Sequence, residues 1–152
     1  MGMLDAAYGS SVASGARFLR LLADETRLRI LALLSKTPDL CVCEFVAILR
    51  LPQYQISRHL GQLRRSGLLA TRREGPFVFY SIADGARRHT VHRLILRAVP
   101  KLASPQAVSG DFGRMRRLVK LERAQRVAAC SAEGRGLRVL RGRSILRPAR
   151  AG

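Results

Sequence analysis

Between residues 51 and 83 the apolar residues change their period, and this constrains the fold more than any other feature of the chain. In "YQISRHLGQLRRS" (54–66), Ile56, Leu60 and Leu63 recur at helical spacing, one stripe of a 3.6-residue repeat. Gly67 follows, a residue suited to closing a helix at its C-terminus. From 68 to 83, "LLATRREGPFVFYSIA" reads as two strands around a turn centred on Glu74–Gly75–Pro76, because β-branched and aromatic residues flank turn formers.

Upstream, four more stretches have helical or loop character. "SSVASGARFLRLLA" (10–23) places Val12, Ala16, Leu19 and Leu22 near helical spacing. "DETRLRILALLSK" (24–36) opens with Asp24 as an N-cap and buries Leu28, Leu31 and Leu34, and Thr37–Pro38 ends it. A short helix covers about 41–49 with Phe45, Val46 and Leu49 inward, and "LPQ" links it tightly to the next. After the hairpin, "DGARRHTVHRLILRAV" (84–99) returns to helix until Pro100. The order α-α-α-α-β-β-α, mainly α with a β-hairpin wing, is that of a winged helix-turn-helix carrying a basic C-terminal extension.

We place the winged domain at residues 10–100 and the extension at 101–152. Residues 1–100 carry 14 Arg and 1 Lys against 7 acids, and residues 101–152 carry 11 Arg and 2 Lys against 3 acids, formal charges of +8 and +10. Such charge favours polyanions, although part of the excess is general compositional bias toward Arg. "SPQAVSGDFG" (104–113) reads as a linker, 114–129 can form a basic helix, and Gly and Arg from Ser131 onward predict disorder. The apolar runs fall far short of the roughly 20 residues that span a bilayer, and Met1–Gly15 lacks a secretory pattern. Three cysteines without a secretory context argue for reduced thiols in the cytoplasm. No membrane partner is expected.

The polar face of the helix after "LP" holds Gln53, Tyr54, Gln55, Ser57, Arg58, Gln62 and Arg65. Gln pairs bidentately with adenine, Arg with guanine or phosphate, and Ser with either. Arg72 and Arg73 in the wing suit phosphate contact. An ordinary solvated helix face, and two ordinary surface arginines, are the bland alternatives.

Together, "LADETRLRILALL", "LCVCEF", "QYQISRHLGQLRRSGLL" and "REGPFVFYSI" resemble, in order and spacing, the ArsR–SmtB family of metal-sensing repressors, over residues 15–99. The resemblance implies a homodimeric winged-helix repressor on double-stranded operator DNA, with the helices at 12–22 and 84–99 at the dimer interface. His59, where the family also has His, joins the DNA-facing set, open between phosphate contact and local packing. "LCVC" is similar to the arsenic-sensing branch, which implies that Cys41 and Cys43 bind arsenite or antimonite as inducer, with no resident cofactor required. Positions i and i+2 of a helix point about 200° apart, so two such thiols are expected to converge only if the first helical turn unwinds.

Three departures stand out. Val46 occupies the position of a further cysteine in the fullest arsenic pattern, so either two thiols suffice or Cys130 supplies the third sulfur that trivalent arsenic prefers. Pro52 and Tyr54 replace a frequent Ser and Pro, which bears on operator preference. The family's zinc pattern on the last helix falls on Asp84, Ala86, Arg97 and Pro100 and matches only at Asp84, so His89 and His92 read as surface or interface residues. The rivals are a thiol redox switch of the same fold and a nonspecific nucleic-acid-binding protein. An enzyme is disfavoured, because no CxxC, phosphate-binding glycine loop or acid–base pair is present.

Overall fold

The computed structural model of the chain describes residues 12–103, 105–122, 124–126 and 128. Seven helices and three strands follow one another within them: α1 (Val12–Leu22), α2 (Glu25–Leu34), β1 (Leu40–Cys41), α3 (Val42–Leu49), α4 (Gln53–Arg65), β2 (Leu69–Glu74), β3 (Phe77–Ile82), α5 (Asp84–Arg88), α6 (Thr90–Leu102) and α7 (Pro105–Val119). The winged helix-turn-helix is present, with α3 and α4 as its helical pair and β2–β3 as its wing.

Local chemistry explains the boundaries. Asp24, extended at φ −152°, accepts the Arg27 amide at 2.9 Å and opens α2. Five consecutive residues of α2, Ile30–Leu34, are buried, which marks a helix enclosed on all sides; α1, α4, α6 and α7 pack around it. α4 closes as the sequence predicts. Gly67 adopts φ 78°, and the Leu68 and Gly67 amides bond back to the Leu63 and Arg64 carbonyls, a Schellman cap with Leu68 sealed inside. In the hairpin, Glu74 pairs with Phe77 across a two-residue turn. Gly75 takes φ 54° and Pro76 fixes a negative φ, the sign pattern of a type II′ turn.

Five expectations need correction. The inner face of α1 is Ser14, Phe18 and Leu22, whereas Val12 is 91% and Leu19 63% exposed. The helix expected over 84–99 is broken at His89, whose extended ψ of 125° ends α5 and starts α6; the bend lets His92 pack on Phe18, with ring centroids 4.6 Å apart. Pro100 does not stop α6, which runs on to Leu102, because one missing N–H is tolerable in a last turn held by Val99 and Ala103 in the core. The linker expected over 104–113 is instead most of α7. Val108, Asp111 and Met115 are buried on its inner face, and their docking overrides the weak helix propensity of Gly110 and Gly113. α7 ends at Val119, so no single helix covers 114–129; residues 124–126 are helical again. Cys130 and the disorder expected from Ser131 lie outside the described residues.

A strand the sequence hides completes the sheet. β1 has two residues, and it pairs antiparallel with β3, giving the order β1-β3-β2 with Leu40 opposite Tyr80 and Cys41 opposite Phe79. The wing is therefore anchored directly to the segment that carries the first cysteine.

Candidate functional site

Ile56, Leu60 and Leu63 hold α4 against the core. Its opposite face presents Gln53, Tyr54, Ser57, Arg58, Arg64 and Arg65 to solvent, with Gln55 half-buried and donating to the Tyr54 hydroxyl at 3.1 Å. Pro52 at the N-cap provides no side-chain hydrogen bond, so the Gln53 and Tyr54 amides of the first turn keep their capacity for an anion, while the Gln55 amide bonds the Pro52 carbonyl at 3.0 Å. His59 and Gln62 turn the other way. His59 Nδ1 lies 3.7 Å from the Asp24 carboxylate, and Gln62 accepts from Arg27 at 2.6 Å. Both tie α4 to α2: for His59 this is the local packing that stood open beside phosphate contact, and for Gln62 it corrects the placement on the polar face.

The two wing arginines also part company. Arg73 is exposed. Arg72 donates to Asp39 at 2.9 Å and to Glu74, with its guanidinium 5.7 Å from the Phe79 ring centroid. It braces the wing against the loop before β1 while its side chain stays half-exposed.

Cys41 and Cys43 sit where β1 becomes α3. Cys41 is the N-cap, extended at φ −89° and ψ 168°, and Cys43 lies in the first turn. Their sulfurs are 2.9 Å apart, well beyond the ~2.05 Å of a disulfide bond. Convergence therefore needs no unwinding, contrary to the expectation from helical geometry. A residue outside the helix can fold its side chain back over the first turn, as capping residues do. Phe79 is buried against Cys41, and Cys43 and Phe77 pack beside them.

Glu44, three residues after Cys41 and only 1% exposed, completes this corner. Its carboxylate accepts the Cys41 amide at 2.8 Å and pairs with Arg126 at 2.6 Å. Burial pushes the Glu44 carboxyl above its usual range, against the Arg126 hydrogen bond and the Cys41 amide, which both pull it down. Neither Glu44 nor Arg126 stood out in the sequence. The available signal was the Cys-x-x-Glu spacing, a capping box with Cys in the place of Ser or Thr.

No group of three or more His, Cys, Asp or Glu side chains among the described residues could hold a metal ion. His92, expected at the surface or an interface, is instead buried between Phe18 and His89, with the two imidazole centroids 4.4 Å apart. No described helix is long and apolar enough to cross a membrane.

Residues 24–71 match the model of the bacterial regulatory protein arsR family. The transcriptional activator HlyU of Vibrio cholerae is 40% identical over 83 residues, which are 53% of this chain and 76% of HlyU. The chain belongs to the arsR family. A solved structure of HlyU covers 62% of this arsR-family chain and 96% of its own length, at 33% identity and a TM-score of 0.52. The arsenical resistance operon repressor of Escherichia coli is 48% identical over 67 residues (44% of this chain, 57% of that protein). The arsenic resistance transcriptional regulator ArsR1 of Pseudomonas putida is 48% identical over 63 residues (41% and 49%). The chain thus spans about half the length of these last two relatives. The arsR-family fold and these relatives belong to transcriptional regulators, not to enzymes.

Proposed function

We propose that this chain is an arsenite- or antimonite-responsive repressor that binds operator DNA as a homodimer in the cytoplasm and leaves it when Cys41 and Cys43 take up the metalloid. The observation that carries the reading is the 2.9 Å approach of two soft sulfurs on a helix that packs against both α4 and β3. Each arsenic–sulfur bond forms as a thiol proton departs with one hydroxyl of arsenous acid as water, and arsenic stays trivalent. Gln53, Tyr54, Gln55, Ser57, Arg58 and Arg65 read DNA, and Arg73 contacts phosphate. The exposed apolar residues Leu19, Val91 and Leu94 on α1 and α6 support dimerisation through these helices. The Arg126–Glu44 pair supports Cys130 as a third ligand, because four residues of chain span at most about 14 Å. Residues 101–152 then form an extension that serves the winged domain.

The close sulfurs also favour a second reading, in which Cys41 and Cys43 are oxidised to a disulfide. A gel-shift titration of the promoter complex separates the two, with arsenite, antimonite, cadmium, zinc and mild peroxide added in turn. Release by arsenite or antimonite is expected; release by peroxide alone favours the redox switch and sinks the metalloid reading.

A further inference from the structure

α3 is eight residues long, and segments beyond the family-matched region hold both of its ends. At its C-terminal end, Arg114 of α7 donates to the Ile48 carbonyl and to Asp111. Arg29 of α2 donates to the Leu49 carbonyl at 3.3 Å and grips Asp111 bidentately, at 2.7 and 2.8 Å. These donors satisfy carbonyls that a helix leaves open in its last turn. At its N-terminal end, Arg126 pairs with Glu44, and Glu44 accepts the Cys41 amide. Two arginines of the basic extension thus have carboxylate partners within the chain.

We propose that Glu44 and Arg126 are positioning residues of the thiol pair, through which the C-terminal extension sets the chain's response to its inducer. This rests on the reading that Cys41 and Cys43 take the metalloid. The carboxylate fixes the Cys41 amide and with it the extended N-cap conformation that turns the Cys41 sulfur onto Cys43. Arg126 fixes the carboxylate, because a buried acid held by one amide alone has every reason to turn toward water. Once the acid leaves, the N-cap loosens and the two sulfurs lose their common aim. A chelate that must first order its donors binds more weakly. The metalloid itself touches neither residue.

The test uses the full chain in two readouts, hydrogen exchange of the Cys41 amide without inducer and the arsenite concentration that half-releases a DNA complex. Arg126→Ala is expected to speed exchange and to raise that concentration, each by about tenfold or more. Arg126→Lys, which keeps the charge, should return both toward the parent. In a Glu44→Gln background the amide still has an acceptor but the buried charge is gone, so Arg126→Ala should add little. If Arg126→Ala does not fold, Glu44→Asp carries the same test, since it withdraws the carboxylate from the amide while keeping the ion. Parent-like exchange in Arg126→Ala overturns the proposal, as does an equal loss with Glu or Gln at position 44. A parent that ignores arsenite overturns the inducer reading alone, and amide exchange then decides the positioning role.

Discussion

Cys41 lies opposite Phe79 across the sheet, so the residue bearing the first thiol belongs to the wing as much as to α3. Phe79 in turn faces Arg72 on its other side, and Arg72 reaches back to Asp39, two residues before Cys41. A change at the thiols therefore has two routes to the proposed DNA-reading surface, through α3 to α4 and through β1 to the wing.

The wing arginines should separate by salt dependence. Arg73→Ala should reduce the slope of log K against log salt by about 2, since the dimer loses one phosphate contact in each protomer. Arg72→Ala should leave the slope near the parent's, because its charge is already answered by Asp39 and Glu74. Equal slopes for the two variants would show that Arg72 leaves its carboxylates for phosphate.

Cys43→Ser should preserve operator binding and abolish release by arsenite. The hydroxyl keeps the size of the thiol in the first turn of α3 but is a hard donor that trivalent arsenic disfavours. Release at the parent's arsenite concentration would remove Cys43 from the ligand set.

Asp111→Ala should destabilise the fold by about 3–5 kcal/mol, the range for breaking a buried ion pair, since it strands Arg29. Denaturant unfolding gives the value. A loss below about 1 kcal/mol would place the pair among exposed bridges.

The stability of the fold should fall on mild acidification. Burial, aided by the charge of His89, pushes the His92 imidazole below its ordinary 6.5. The unfolded chain then binds a proton that the folded chain refuses, so stability is full above pH 6.5 and declines as the pH falls toward the folded value. The thermal midpoint should drop between about pH 7.5 and about pH 5.5, and His92→Leu should flatten that drop. A parent profile that is already flat would show that His92 charges freely in the native state.

The fold was legible where periodicity and punctuation agreed. Asp24 caps α2 through its side chain, Gly67 and Gly75 take the positive φ that favours glycine, and each marks a boundary in the structure. α7 was illegible because Ser, Gly and Pro suggest a loop, whereas Val108, Asp111 and Met115 are held by tertiary partners far away in sequence. The same applies to the thiol corner. Its cysteines were visible, but the Arg126–Glu44 pair joins residues 82 positions apart, and no local pattern encodes that. At His59 and Arg72 the charge can be read from sequence, while the acid each one faces, Asp24 and Asp39, cannot.

Among the described residues, the strand order β1-β3-β2 leaves β2 with an unpaired outer edge, a template on which another chain could add a strand. Thr71, Arg72 and Arg73 occupy that edge, all exposed, and charged side chains blunt such a template. The wing's arginines thereby guard solubility, whatever else they bind. Replacing both with apolar residues would turn the hairpin into a seed for self-association.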